Sequence, residues 1–207
     1  MTQERSEEQQ LYMRHAAPLA MIAFAVPLFV WSAFNAGYFQ GVGDNFIIPL
    51  AVFLGAPIAF AAAMWSYHHR EPYLATAAGV FAAFWAAFGM MRWLIQREVI
   101  TGDVSGDLLG FFFVPWAVTF GLVWLGSMRE HWTLALVSLG ATAMFTLLSI
   151  GHYAGEGDIV KIGGWVGFVT SGLAWYAALG ELLHIEFKRE VLPLDADWFN
   201  QFRARTR

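Results

Sequence analysis

The sequence predicts an all-α integral membrane protein, with six transmembrane helices in one bundle and both termini in the cytoplasm. Of the 207 residues, 58% are hydrophobic and only 14% are charged, and the mean hydropathy is +0.51. This is more apolar surface than one soluble core of this size would need. In addition, six stretches contain no Asp, Glu, Lys or Arg, and the basic residues fall unevenly on their two sides.

Each uncharged stretch is long enough to cross a bilayer. Spanning the hydrocarbon takes roughly 20 apolar residues, and every backbone N–H there needs a hydrogen bond within the segment, which favours helices. The stretches run from Ala16 to Gly43, Asn45 to His69, Pro72 to Met91, Leu108 to Met128, His131 to Gly155, and Ile162 to Gly180. We expect one helix in each.

Proline, hydroxyl and small residues distinguish these helices. Pro18 lies where the first helix would begin, where its missing N–H costs nothing. Pro57 in the second stretch and Pro115 in the fourth would each free a backbone carbonyl. The sixth stretch repeats small residues from Gly163 to Ala178, and the second does so around Ala59. Such stripes permit close helix contact, either within one chain or between chains.

The orientation follows from Lys and Arg, because short basic loops stay in the cytoplasm. Nine of the twelve basic residues lie on the side of the N-terminus. We therefore expect a cytoplasmic tail at residues 1–15, a transmembrane domain at residues 16–187, and a second cytoplasmic tail at residues 188–207. Residues 1–10 are polar and acidic, which is unlike the basic start of a signal peptide.

The fifth stretch carries four hydroxyl side chains at spacings of four, four and three, followed by a histidine. They are Ser138, Thr142, Thr146, Ser149 and His152. This spacing predicts that they share one helix face, where they could bond a polar solute. The hydroxyls could equally bond carbonyls of their own helix, with no functional meaning. Both interpretations stay open from the sequence.

Several motifs are similar to those of one known family. Residues 149–155 (SIGHYAG), 163–167 (GGWVG) and 179–193 (LGELLHIEFKREVLP) resemble A-I-G-N-x-A-G, A-G-W-I-G and A-x-G-E-V-L-N-E-x-F-G-R-x-V-L-P. These patterns belong to the bacterial succinate-acetate permeases of the acetate uptake transporter family. Residues 15–24 (HAAPLAMIAF) and 35–39 (NAGYF) resemble N-P-A-P-L-G-L-x-x-F and H-N-x-G-Y/F-F, with departures at His15, Ala16, Ala20 and Phe34.

The resemblance implies a permease of the inner membrane that takes up acetate or a similar small monocarboxylate with a proton. The alternative is a passive channel for small uncharged solutes. The family's hydrophobic constriction aligns with Phe24, Phe81 and Ala141, where the family has phenylalanine, tyrosine and leucine. Asn35 matches the second motif. The resemblance further implies a homo-oligomer, a ring of six subunits in the lipid bilayer.

The uncharged stretches also constrain the proton chemistry. Because they contain no Arg or Lys, a bare carboxylate would cross them at a cost of several kcal/mol, which a protonated acid avoids. Glu181, near the cytoplasmic end of the sixth helix, is the carboxyl group that we expect to handle the proton. Asp44, after Gly43, is better explained as a turn residue.

Other classes of membrane protein fit poorly. Lys161 and Lys188 are the only lysines and lie outside the stretches, which excludes a retinal Schiff base deep in a helix. All six histidines lie at stretch ends, so a bis-histidine haem site is not expected. No hydrolase constellation is visible. We therefore expect no enzymatic activity, no cofactor or metal, and no nucleic-acid partner.

Overall fold

The computed structural model describes residues 16–39, 44–100, 106–129 and 132–194. Six long helices occupy these ranges, and no strand is found within them. The helices are α1 (Ala17–Asn35), α2 (Ile47–His68), α3 (Pro72–Gln96), α4 (Gly106–Gly126), α5 (Trp132–Ala154) and α6 (Gly157–Phe187). All six are long and apolar enough to span a membrane. The predicted all-α membrane fold is thereby confirmed.

Local sequence signals explain where several of the helices begin or end. Pro18 and Pro72 lie in the first turns of α1 and α3, where an N–H has no partner in the helix. Gly37 (φ +84°) follows the end of α1, and Gly155 (φ +66°) follows the end of α5. Glycine adopts this left-handed conformation at no steric cost. Helix α1 therefore stops well before Gly43, the last residue of its uncharged stretch.

Helix α3 is longer than the uncharged stretch that predicts it. The stretch ends at Met91, whereas α3 continues to Gln96. This extension places Arg92 inside a membrane-spanning helix, with its side chain half-buried. The uncharged stretch therefore underestimates the length of α3, as it does for α6, which begins at Gly157 and includes Lys161. The physical reason is that helix propagation does not stop at one arginine, which is itself a good helix former.

Helix α2 contains a widened, π-helical turn from Leu50 to Gly55. It lies between Pro49 and Pro57, each of which lacks the N–H that would continue the regular ladder. Gly55 packs against the indole of Trp85, and a Cβ added at Gly55 would lie 2.7 Å from that ring. The widened turn and the missing side chain together allow α3 to approach α2 closely.

The six helices form a closed ring in chain order. Extensive packing joins α1 to α6, α6 to α5, α5 to α4 and α2 to α3. Helix α1 also packs on α2, which closes the ring, while α3 and α4 touch more lightly. The described chain starts and finishes at the same end of the bundle, because six crossings return it there. We call this the terminal end, and the opposite end, where α1, α3 and α5 finish, the far end.

The small residues of α6 pack within the chain. Gly164 meets the backbone of α1, where an added Cβ would lie 2.7 Å from the carbonyl carbon of Asn35. Gly167 contacts Ser32 of α1 and Met144 of α5. The sequence left open whether this stripe packs within one chain or between chains. In the structure its glycines allow α6 to pack closely against α1 and α5 of the same chain.

The segment after α6 folds back onto the bundle. Lys188 (φ +52°) ends the helix in the left-handed conformation. Leu194 is then buried against Gly180, and the Tyr176 hydroxyl donates to the Pro193 carbonyl over 3.0 Å. Residues 188–194 are thus part of the packed structure. The remaining tail residues of the predicted division, 1–15 and 195–207, lie outside the described residues.

Candidate functional site

Four phenylalanines, one each from α1, α3, α4 and α5, stack across the interior of the bundle. The rings of Phe24 and Phe81 have centroids 4.3 Å apart, Phe81 and Phe120 are 5.5 Å apart, and Phe120 and Phe145 are 5.0 Å apart. Adjacent rings are within 23° of parallel. Each side chain is at most 2% exposed. We call these residues the phenylalanine stack.

The phenylalanine stack brings together two of the three positions predicted for a constriction. Phe24 and Phe81 are in direct contact. Ala141 is fully buried in the same core, one turn before Phe145 on α5. Phe120 also lies 6.2 Å from Phe24. The ring of Phe120 therefore adds a third aromatic side chain to the pair formed by Phe24 and Phe81.

A second aromatic layer separates the phenylalanine stack from the far end. Trp31 is at its centre, with ring centroids 4.7 Å from Phe88, 5.7 Å from Phe84 and 5.7 Å from Phe113. Trp31 on α1 and Phe84 and Phe88 on α3 lie one to two turns beyond the stack, and Phe113 lies two turns before Phe120 on the antiparallel α4. Aromatic side chains thus fill the predicted pathway over about two helical turns, from Phe24 to Trp31 on α1.

Three polar side chains follow this layer at the far end. Asn35 and His152 were expected along the pathway, and Arg92 was not. The imidazole of His152 stacks on Phe113 at a centroid distance of 5.7 Å, and Arg92 is close enough to His152 for a Coulomb interaction. The Asn35 Nδ2 atom is buried and donates to no acceptor within the described part of the chain.

The hydroxyls of α5 have separate partners. Ser138 bonds Ser127 and the carbonyl of Leu134, while Thr142 and Thr146 bond carbonyls four residues back in their own helix. Ser138 thus reaches the 3-10 turn at Ser127–Arg129 that follows α4, and Ser149 donates to the Gly110 carbonyl of α4 itself over 2.9 Å.

The expected single inward face therefore fails for Thr146, whose side chain is exposed on the bundle surface. Each step of four residues turns about 40° past a full helical turn. Two such steps carry Thr146 away from the face of Ser138.

Glu181 lies at the terminal end, in the wall of a cavity of about 370 Å³. The cavity is bounded by the start of α1, the turn between α2 and α3, the end of α6 and the segment folded back over it. Its other ionisable side chains are Glu71, His184 and Glu190. Within the described residues, no three His, Asp or Glu side chains form a group suited to a metal ion.

The sequence analysis did not identify Phe120 of the phenylalanine stack or Arg92 at the far end. For Arg92 a signal was present, because it follows Phe81 by eleven residues, the same interval that separates Asn35 from Phe24 and His152 from Ala141. For Phe120 no such signal exists. Helix α4 runs antiparallel to α3 and α5, and its register is set only by packing.

A six-helix membrane bundle with an apolar aromatic centre and polar groups at both ends matches the class of membrane transport proteins and channels. Residues 3–193 match the GPR1/FUN34/yaaH family, and the chain belongs to this family. This confirms the resemblance stated from the motifs and the expectation that the chain is a transport protein and not an enzyme.

Individual relatives agree with this assignment. The chain is 28% identical over 182 residues to the succinate-acetate/proton symporter SatP of Escherichia coli (strain K12), covering 88% of this chain and 95% of the relative. It is 33% identical over 168 residues to ammonia transport outward protein 2 of Saccharomyces cerevisiae, covering 78% and 59%. Its fold is similar to the structure of the bacterial acetate channel SatP, with a TM-score of 0.80, 28% identity, and coverage of 86% and 97%.

Proposed function

We propose that this chain carries acetate, or a similarly small monocarboxylic acid, across the inner membrane together with a proton. The observation that supports this proposal most directly is the phenylalanine stack. Its four rings offer no hydrogen-bond donor and no charge, and each is buried. The similarity to a succinate-acetate/proton symporter and to an acetate channel supports the same substrate class.

The stack discriminates between the two protonation states of such an acid. A carboxylate that enters an apolar site gives up its hydration, which costs several kcal/mol without a paired charge. A protonated carboxyl group gives up far less. Because Phe81 replaces the family's tyrosine, no phenol is present to bond the carboxylate at this level. The acid therefore crosses the stack in its neutral form, which amounts to moving an anion and a proton together.

The terminal-end cavity is suited to the proton exchange that this requires. Glu181 is half-buried in its wall, and Glu71, His184 and Glu190 line the same space. Carboxyl and imidazole groups exchange protons with solvent and with a bound acid. In this scheme Glu181 takes the proton from the acid after it has passed the stack and returns it to water.

A passive channel for small uncharged solutes is the second candidate. The same dry stack favours it, because uncharged molecules need no proton to cross. One relative is named for outward ammonia transport. This candidate makes no use of Glu181 or of the polar side chains at the far end.

Uptake into proteoliposomes separates the two candidates. The purified full chain is reconstituted, and labelled acetate and its neutral analogue acetamide are followed with and without an inward proton gradient, with protein-free vesicles as the control. Our proposal expects acetate uptake that rises with the proton gradient, and little acetamide flux. Equal fluxes of both solutes, insensitive to the gradient, would instead identify the passive channel.

We further propose that the terminal end faces the cytoplasm, as the distribution of basic residues favours. A reporter that is active only in the cytoplasm should work when fused to the C-terminus and fail when inserted after Gly102. The reverse pattern would contradict this orientation.

We also propose that the chain assembles into a ring of six, as the resemblance implies. The bundle exposes large apolar side chains on α2 and α4, among them Phe53, Phe60, Phe111 and Leu122. These can contact either lipid or another subunit. Native mass spectrometry of the detergent-solubilised protein should give six times the mass of the 23.1 kDa chain, and a monomeric mass would refute the proposal.

A further inference from the structure

Three polar residues at the far end occupy equivalent positions on three parallel helices. Asn35, Arg92 and His152 each follow by eleven residues a position that the alignment assigns to the constriction on α1, α3 and α5. Eleven residues make about three helical turns, a rise of about 16 Å, and return to within about 20° of the same face. The three side chains therefore lie at one level, above the constriction.

The packing beneath these residues brings them toward one another. One turn below, Asn35 has Trp31 and Arg92 has Phe88, while His152 stacks on Phe113. The ring centroid of Trp31 is 4.7 Å from that of Phe88 and 5.7 Å from that of Phe113. A single aromatic cluster thus supports all three polar side chains.

The chemistry of the group matches a carboxylate. A guanidinium, an imidazole and a carboxamide all present N–H donors, and a carboxylate offers two acceptor oxygens. Arg92 and Asn35 are half-buried, and the Asn35 Nδ2 atom donates to no described residue. Arg92 lies four residues before the end of α3, where an arginine usually extends to the membrane surface, yet its side chain is half-buried at the level of Asn35 and His152.

We propose that Asn35, Arg92 and His152 form an entry site that captures the carboxylate anion before it crosses the phenylalanine stack. This inference rests on the proposed transport of a small monocarboxylic acid. Arg92 attracts the anion from solution and raises its local concentration at the mouth. The guanidinium and the Asn35 amide orient the two oxygens. The apolar layer below admits the acid only after the carboxylate has taken up a proton from the solution at the far end.

The test compares Arg92→Gln with a matched charge control, Arg97→Gln. Arg97 lies five residues further along the chain, is exposed, and has its guanidinium 6.0 Å from the ring centroid of Trp93. In proteoliposomes, Arg92→Gln should raise the KM for acetate roughly tenfold to a hundredfold with little change in maximal rate. Arg97→Gln should keep the wild-type KM. Arg92→Lys, which retains the charge without the planar fork, should fall between them.

Ionic strength provides a readout that a merely structural role would not change. Long-range attraction to Arg92 is screened by salt, so the wild-type KM should rise between low and physiological ionic strength. In Arg92→Gln this dependence should be lost. Size-exclusion profiles and thermal unfolding establish that each variant is folded.

Failure of this inference can be told apart from failure of the proposed function. If the wild type transports acetate while folded Arg92→Gln keeps its KM and its salt dependence, the entry site is wrong and the transport function stands. If the wild type transports no carboxylate, the proposed function fails. Saturation-transfer NMR of acetate on the purified protein then decides: a signal lost in Arg92→Gln and kept in Arg97→Gln supports the site, and any other pattern overturns it.

Discussion

Removing the ring of Phe120 should open the constriction to water and to ions. Phe120 contacts Phe81 and Phe145 with centroid distances of 5.5 Å and 5.0 Å, and it is fully buried. In Phe120→Ala the lost ring leaves room for at least one water, whose share of liquid volume is about 30 Å³. That water can replace part of the hydration that an anion loses in the stack.

The expected increase in anion leak follows from the hydrogen bond that this water would donate to the anion. One bond to an otherwise unsatisfied polar group is worth about 1–3 kcal/mol. At about 1.4 kcal/mol for each factor of ten in rate, the leak of acetate anion should rise roughly fivefold to a hundredfold. The truncation should also destabilise the protein by up to about 3–5 kcal/mol, as for other buried phenylalanines.

The assay measures charge selectivity. Acetate anion flux is driven by a membrane potential in proteoliposomes without a pH gradient, where the neutral acid carries no current. Phe111→Ala is the control, because Phe111 is on the same helix but 64% exposed. If folded Phe120→Ala conducts no more anion than Phe111→Ala, the phenylalanine stack is ordinary packing and does not exclude charge.

Three further predictions follow from individual contacts. Ser149→Ala removes a hydrogen bond between two helices and should lower the free energy of unfolding by about 1 kcal/mol. Thr142→Val loses only a bond within its own helix and should change the free energy of unfolding by less than about 0.5 kcal/mol. Thermal unfolding of both variants in detergent tests this difference. Gly164→Ala should sharply reduce folded yield, because the added Cβ meets immobile backbone of α1. Glu181→Gln should flatten the dependence of acetate uptake on the proton gradient, and an unchanged dependence would exclude Glu181 from proton transfer.

The residues of the candidate site could be predicted only in part. Phe24, Phe81 and Ala141 were identified from the resemblance, and the structure places the first two rings in contact. The aligned set omitted Phe120. Its contact with Phe81 depends on how far α4 is shifted along α3, which interhelical packing determines and local periodicity does not encode.

The hydroxyl pattern of α5 shows another limit. A spacing of three or four residues predicts a shared face over one or two turns, but the drift of about 40° per four residues accumulates over longer distances. Ser138 and Ser149 consequently point inward while Thr146 is exposed. The sequence left open whether the hydroxyls bond their own helix. The geometry decides this for Thr142 and Thr146, which do.

The sequence by itself determined the membrane class, the number of helices and the family, because apolar length, the absence of charge and contiguous motifs are local properties of the chain. Only the tertiary structure decided which side chains meet. It joined four phenylalanines from four helices into one stack, and it placed Arg92 inside α3 at the level of Asn35 and His152. These contacts depend on where each helix ends and on the axial register between antiparallel neighbouring helices. Both are determined by packing across the whole bundle.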